Sequence, residues 1–149
     1  MEIRLLKTED IEPIVEIWFK GSILAHNFID QVYWESMKME MKNKYLPMSK
    51  TYVIGKGVEI FGFVSMVDNY LAALFVDVNH HKKGYGKQLL EFVKSQNEAI
   101  QLKVYQKNRN ATDFYLKNGF EMIEEVVDNQ TLQKEFIMMW KNNNGIKLV

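Results

Sequence analysis

The sequence contains no cysteine and no excess of either charge, and each absence excludes a class of protein. Without a thiol the chain has no disulfide, no thiolate metal site and no cysteine nucleophile. Nineteen basic and nineteen acidic residues give a formal net charge of zero, which argues against nucleic acid or an anionic membrane as the main partner. We therefore predict that any positive potential on the protein is local.

Long apolar runs are also missing. No run approaches the roughly 18 apolar residues of a spanning helix, and the segment Met1 to Arg4 lacks the features of a secretory leader. We predict a cytoplasmic protein with no membrane partner. The 149 residues, of which 47% are hydrophobic and 26% charged, suit one globular domain. We assign this domain to residues 1–141 and a polar C-terminal tail to residues 142–149.

One stretch, residues 71–93, has the pattern of a strand, a glycine-bearing loop and a helix. The apolar run from Leu71 to Val76 is typical of a buried strand, and apolar residues after position 88 fall on one helical face. Gly84 and Gly86 allow the backbone to approach a ligand closely. The helix that begins there offers unpaired N–H groups with positive dipole character. This arrangement predicts a phosphate-binding loop.

Spacing excludes two familiar phosphate motifs. A dinucleotide fingerprint needs a small residue where this chain has Leu89. A P-loop needs two glycines five positions apart, followed by Lys and Ser or Thr, and this stretch has no such pattern. Two interpretations stay open on spacing alone: a loop for another phosphate compound, and a tight turn without a ligand.

Apolar periodicity predicts the order of the other elements. A first strand is followed by a helix that Gly21 is expected to end. A second helix is expected from Asp30 to about Tyr45, with Pro47 stopping it. Three antiparallel strands, the helix after the glycine loop, another strand, a helix and a final hairpin complete the predicted order.

Two motifs in this order resemble those of the GNAT superfamily of acetyltransferases. His81 to Gly86 resembles its pyrophosphate loop, Gln/Arg-x-x-Gly-x-Gly/Ala, with histidine in place of the usual first residue. Asn108 to Phe120 matches its pattern Asn-x-x-Ala-x-x-Phe-Tyr-x-x-x-Gly-Phe. Residues 25–29, 33–34 and 104–108 are further similar to a small bacterial branch of the family that includes protein-lysine acetyltransferases.

The resemblance implies the GNAT fold, an α/β (α+β) architecture with a mixed, mainly antiparallel central sheet and helices on both faces. It implies an enzyme that moves an acetyl group from acetyl-CoA to a primary amine, on a protein lysine or a small molecule, by direct transfer in a ternary complex without a metal. A monomer and a homodimer are both consistent with it. One alternative is a non-catalytic acyl-CoA sensor on the same fold. Another is nucleic-acid binding through the lysines of the loop, which would weaken steeply with salt.

The resemblance assigns acetyl-CoA to residues in three places. The main chain of Phe75 and Val76 would hold pantetheine in the manner of an added strand. Asn108 would hydrogen-bond the CoA arm, although asparagine at a helix start is equally typical of an N-cap. The pyrophosphate would bind the loop residues His81, Lys82, Lys83, Gly84, Tyr85, Gly86 and Lys87.

Tyr115 is the predicted general acid. A phenol with a pKa of about 10 is protonated at neutral pH and can donate to a departing thiolate, whose thiol has a pKa of about 8.5 if it behaves like cysteine. An arbitrary helical tyrosine would be a core residue. The position of Tyr115 in the second motif favours the catalytic role instead.

His26 is the predicted acceptor of the amine proton, directly or through water, because an imidazole titrates near neutrality. It lies in residues 22–29, which show no helical or strand period and are predicted to form a loop. A single loop histidine is otherwise most often structural. The acceptor groove is predicted to be lined by His26, Phe28, Tyr33, Trp34 and Tyr70.

Overall fold

A computed structural model describes residues 1–142 of the chain, which fall into two units, one spanning Met1–Phe92 and one that begins at Val93. The predicted tail therefore lies, apart from Asn142, outside the described residues. The assignment of residues 1–141 to one domain stays a prediction. No helix within the described residues is long and apolar enough to cross a membrane.

The first unit is built on four strands in the order β1-β2-β3-β4, each antiparallel to its neighbour. The strands are β1 (Glu2–Leu5), β2 (Lys50–Lys56), β3 (Glu59–Val67) and β4 (Tyr70–Val76). Val53 of β2 lies opposite Phe63 of β3, which lies opposite Phe75 of β4. Val53 and Phe63 are buried, so this row forms the centre of the first core.

Four helices and most of a fifth, which ends two residues beyond Phe92, accompany these strands. They are α1 (Ile11–Ala25), α2 (Gln31–Ser36), α3 (Lys38–Glu40), α4 (Leu46–Met48) and α5 (Tyr85–Lys94). Ile14, Val15 and Ile17 of α1 are buried against the core. The start of α1 is fixed by the buried carboxylate of Asp10, which accepts hydrogen bonds from the Arg4 side chain at 2.7 Å and from the Lys7 N–H at 2.7 Å.

The described residues of the second unit, up to Asn142, form three strands and one helix. They are β5 (Ala99–Tyr105), α6 (Arg109–Lys117), β6 (Glu121–Val127) and β7 (Lys134–Lys141). Strand β7 is antiparallel to both β5 and β6, and Met138 lies opposite Leu102 on one side and Met122 on the other. Both units thus combine helices with mainly antiparallel strands, which confirms the predicted fold class.

Helix α1 does not end at Gly21, as the sequence predicted, but continues to Ala25. A β-carbon at Gly21 would lie 2.7 Å from a ring carbon of Phe75, closer than nonbonded carbons approach. The glycine therefore allows α1 to pack closely on β4. The local signal of a helix stop was wrong because the glycine serves a contact that is distant in sequence.

We expect Gly21→Ala to lower the free energy of unfolding by about 1 kcal/mol. The substitution improves helix propensity by about 1 kcal/mol, but overpacking against the Phe75 ring costs about 1–3 kcal/mol and should prevail. Urea unfolding of the wild type and variant measures the difference. The control is the same substitution in a Phe75→Leu background, where it should become stabilising. Stabilisation by Gly21→Ala in both backgrounds would show that the close contact carries no cost.

Candidate active site

The chain turns sharply after β4. The N–H of Asp77 donates to the Phe61 carbonyl at 2.7 Å, and the Asp77 carboxylate accepts from the N–H of Asn79 at 3.0 Å. A short 3₁₀ helix, Val78–His80, follows. These bonds direct the chain from the end of β4 into the glycine loop.

The glycine loop itself is exposed and has an uncommon backbone. Lys82 and Gly84 have φ values of 65° and 83°, the left-handed region that favours glycine. A β-carbon at Gly84 would meet no atom within 4 Å, so the space beside its backbone is open. Helix α5 begins at the next residue and runs for 10 residues. An open backbone at the start of a helix has the donors and the dipole direction that an anion needs.

His81, the residue that departs from the GNAT pattern, is turned back toward β4. Its Nε2 lies 2.9 Å from the carbonyl oxygen of Val76. The imidazole therefore ties the loop to the end of the strand. The main chain of Val76 is where the resemblance places pantetheine, so this bond lies at the junction of the two predicted cofactor segments.

The side chain of Phe75 has a structural role. Its ring lies 5.9 Å from that of Phe63, and it fills the space beside Gly21. The side chain is therefore occupied in the core, and the main chain is the part of Phe75 for which pantetheine contact was predicted. The predicted contact itself stays a proposal.

Asn108 and Tyr115 lie in the second unit. The Asn108 carboxamide accepts from the N–H of Ala111 at 3.3 Å, so this residue is the N-cap of α6, one of the two predicted roles. Tyr115 is 7% exposed, and its ring lies 5.3 Å from Phe114 and 5.4 Å from Phe120. Rings on two sides fix the direction of the phenol.

Four of the five predicted groove residues form one cluster around Trp34. His26 stacks on Trp34 at 5.1 Å and 29°, and Phe28 meets the edge of His26 at 5.8 Å. Tyr33 packs edge-on against Trp34 at 5.0 Å. The fifth residue, Tyr70, is the first residue of β4, opposite Val67.

Trp18 also belongs to this cluster and was not among the predicted groove residues. Its ring meets Trp34 at 5.9 Å. The cluster lies along one face of α1, where residues recur every four positions: Trp18, Ser22 and the C-cap His26. This spacing is the sequence signal that would have identified the face.

The sequence predicted that His26 titrates near neutrality, and this prediction was wrong. Only 8% of the residue is exposed, and this burial lowers the pKa of the imidazole to about 4 by disfavouring its charged form, opposed in part by a backbone hydrogen bond of Ser22. His26 is therefore neutral at pH 7. It is ready to accept a proton but is a weaker base than an exposed histidine.

We expect this burial to make the protein acid-sensitive. The unfolded chain takes up the His26 proton near pH 6.5, whereas the folded chain does so only near pH 4, so stability is full above 6.5 and is lost as the pH falls to 4. The loss should approach roughly 3 kcal/mol. Urea unfolding at several pH values should show a shallower fall for His26→Gln. His81→Gln, which removes an exposed histidine, should retain the wild-type fall, and equal falls in all three proteins would contradict the assignment.

Within the described residues no group of three or more potential metal-binding side chains converges. The first unit therefore contains an exposed loop backbone at the start of α5 and a partly buried aromatic cluster around a neutral imidazole.

Comparison with known proteins identifies the family. The model of the acetyltransferase (GNAT) domain matches residues 10–140. The peptidyl-lysine N-acetyltransferase YiaC of Escherichia coli K12 is 30% identical over 139 residues, which are 93% of this chain and 95% of that protein. The peptidyl-lysine N-acetyltransferase YjaB of Salmonella typhimurium is 27% identical, over 82% of this chain and 84% of its own.

Solved structures agree on the fold. Apo YjaB from Escherichia coli superposes with a TM-score of 0.82 at 24% identity, covering 93% of this chain and 96% of its own. A GCN5-related N-acetyltransferase from Rhodopseudomonas palustris gives 0.80 at 16% identity, covering 95% of each chain. The sequence motifs, the fold and these matches together show that the chain belongs to the GNAT family and is an acetyl-CoA-dependent N-acetyltransferase.

Proposed function

We propose that this enzyme acetylates the side-chain amine of lysine in proteins or peptides, by direct transfer within a ternary complex. The observation that carries the proposal is the aromatic cluster around the neutral imidazole of His26, in the unit that also holds the glycine loop. Aromatic walls suit the aliphatic stem of a lysine. The names of the relatives YiaC and YjaB as peptidyl-lysine N-acetyltransferases support the same acceptor.

Two buried donors further support a polar ligand at this cluster. Among the described residues, the Ser22 hydroxyl and the Trp34 indole N–H are buried without a hydrogen-bond partner. An unsatisfied buried donor costs about 1–3 kcal/mol, so such groups are rare unless a bound group completes them. A substrate backbone carbonyl, or a water that accompanies it, would supply the acceptor.

The cofactor residues fit the first part of the reaction. The open backbone from His81 to Lys87 would hold the pyrophosphate, the main chain of Phe75 and Val76 would hold pantetheine, and Asn108 would contact the same arm. Acetyl-CoA supplies an acetyl group activated as a thioester. Main-chain hydrogen bonds to acetyl-CoA would fix the position of the thioester carbon without placing a charged side chain beside it.

Proton transfers complete the reaction. The uncharged amine attacks the thioester carbon, a C–N bond forms, and the C–S bond breaks. Tyr115 gives its phenolic proton to the departing sulfur. The nitrogen loses a proton to His26, or to water in contact with it, as bond formation makes the N–H more acidic. When the products leave, Tyr115 regains a proton from solvent and His26 releases to solvent the proton that it accepted.

A screen of acceptors tests the proposal. Release of CoA from acetyl-CoA is measured with lysine-containing peptides, with the same peptides blocked at the lysine nitrogen, and with free polyamines and aminoglycosides. We expect turnover with unblocked lysine peptides and none with the blocked ones. Turnover with small amines alone would replace the acceptor, and tight acetyl-CoA binding without any turnover would support an acyl-CoA sensor.

A further inference from the structure

Residues at both ends of the turn around Gly84 pack against one side chain, that of Phe61, which neither GNAT motif contains. The imidazole of His80, just before the loop, lies 4.4 Å from the Phe61 ring. The phenol of Tyr85, the first residue of α5 and part of the predicted pyrophosphate segment, stacks on the same ring at 5.0 Å and 18°. We call Phe61, His80 and Tyr85 the aromatic clasp.

The clasp is anchored in β3. Phe61 is 7% exposed, and its carbonyl also accepts the N–H of Asp77 that turns the chain after β4. The clasp thus joins strand β3 to the residues on both sides of the loop. Only residues 81–84 are left to span the distance between its two ends.

Polar contacts hold the His80 ring in this position. Its Nδ1 lies 3.3 Å from the Lys83 ammonium, and its Nε2 lies 4.0 Å from the Glu59 carboxylate. A neutral ring that accepts from Lys83 at Nδ1 carries its proton at Nε2, on the side of Glu59. The pair His80 and His81 therefore points to two different strands and does not converge on a metal.

We propose that the aromatic clasp positions the loop for CoA pyrophosphate, with Phe61 and His80 as positioning residues that do not touch the ligand. Fixing the backbone of a loop costs conformational entropy, and a loop that is ordered beforehand does not lose this entropy on binding. Without the clasp, the left-handed backbone at Lys82 and Gly84 would be only one of several conformations of the loop. This inference rests on the proposed binding of acetyl-CoA by the loop.

Calorimetric titration with acetyl-CoA tests the clasp. His80→Ala removes a largely buried ring and should weaken binding about tenfold, whereas His80→Phe retains a ring on Phe61 and should stay within about twofold of the wild type. Asn79→Ala, on the same turn, is the matched control and should bind as the wild type. Phe61→Leu should weaken binding to the same extent as His80→Ala.

The outcomes separate the two proposals. If the wild-type protein does not bind acetyl-CoA, the proposed cofactor site is wrong. If the wild type binds and folded His80→Ala and Phe61→Leu bind equally well, the clasp is wrong while the cofactor site stands. Equal loss in His80→Ala and His80→Phe would assign the effect to the Lys83 contact and would also overturn the clasp. Thermal unfolding of each variant shows whether it is folded.

Discussion

Tyr115→Phe should reduce turnover by about 100-fold or more while changing acetyl-CoA affinity little. The substitution preserves the ring that packs between Phe114 and Phe120 and removes only the hydroxyl. A positioned general acid contributes roughly 10²–10⁴-fold to rate, and a thiolate that must leave without a proton loses this contribution. Rapid-quench measurement of the first turnover gives the chemical step, and calorimetry gives the affinity.

Tyr105→Phe provides a matched control in the same unit. The Tyr105 hydroxyl donates to Asp128 at 2.6 Å, where it contributes to the low pKa of that carboxyl against the opposing effect of burial. Its removal should lower stability by about 1 kcal/mol and leave the first turnover unchanged. A first turnover near the wild-type rate in Tyr115→Phe would show that the thiolate takes its proton from elsewhere.

The glycine loop was predictable from sequence because its signals are local. An apolar run, two glycines and a helical period predict the strand at Leu71 to Val76, a turn through Lys87 and helical residues from Gln88 to Val93. The structure gives Tyr70–Val76 and Tyr85–Lys94. Each boundary has its signal within a few positions, so the observed elements differ from the predicted ones by three residues or fewer.

The segment after Asp30 was predicted less well, since one helix was expected from there to about Tyr45. The structure breaks the helix after Ser36, and a later helical stretch includes a π turn, Met41–Tyr45, and continues past Pro47 to Met48. Proline lacks an N–H and its ring crowds the carbonyl four residues earlier. A wider turn directly before Pro47 accommodates that crowding, so the chain remains helical where the local rule predicts an end.

The chemistry of His26 could not be predicted from its neighbours in sequence. Its residue type favours titration near neutrality, but Trp34 and Phe28 cover the ring and α1 extends almost to it. Burial is a property of the packed cluster, and it lowers the pKa of the imidazole. Phe61 was missed for the same reason, because a strand residue some 20 positions before the loop gives no local signal.

Gly84→Val should weaken acetyl-CoA binding by about 2 kcal/mol or more, roughly 30-fold. At a φ of 83° a β-branched residue is strained, and its side chain would enter the open space beside the loop backbone, where the pyrophosphate is proposed to lie. Strain alone would also lower stability, so binding must be compared with a glycine that shares the strain. Gly57 is that control, since it has a φ of 61° and equally open surroundings in the turn between β2 and β3.

Gly57→Val should therefore lose a similar amount of stability, about 1–2 kcal/mol, and bind acetyl-CoA as the wild type does. Urea unfolding measures the first quantity and calorimetric titration the second. Because both variants carry the same backbone strain, a difference in affinity between them measures what the open backbone of the loop contributes to the ligand. If Gly84→Val is folded and its affinity equals that of Gly57→Val, the loop is a turn without a ligand and the pyrophosphate must bind elsewhere.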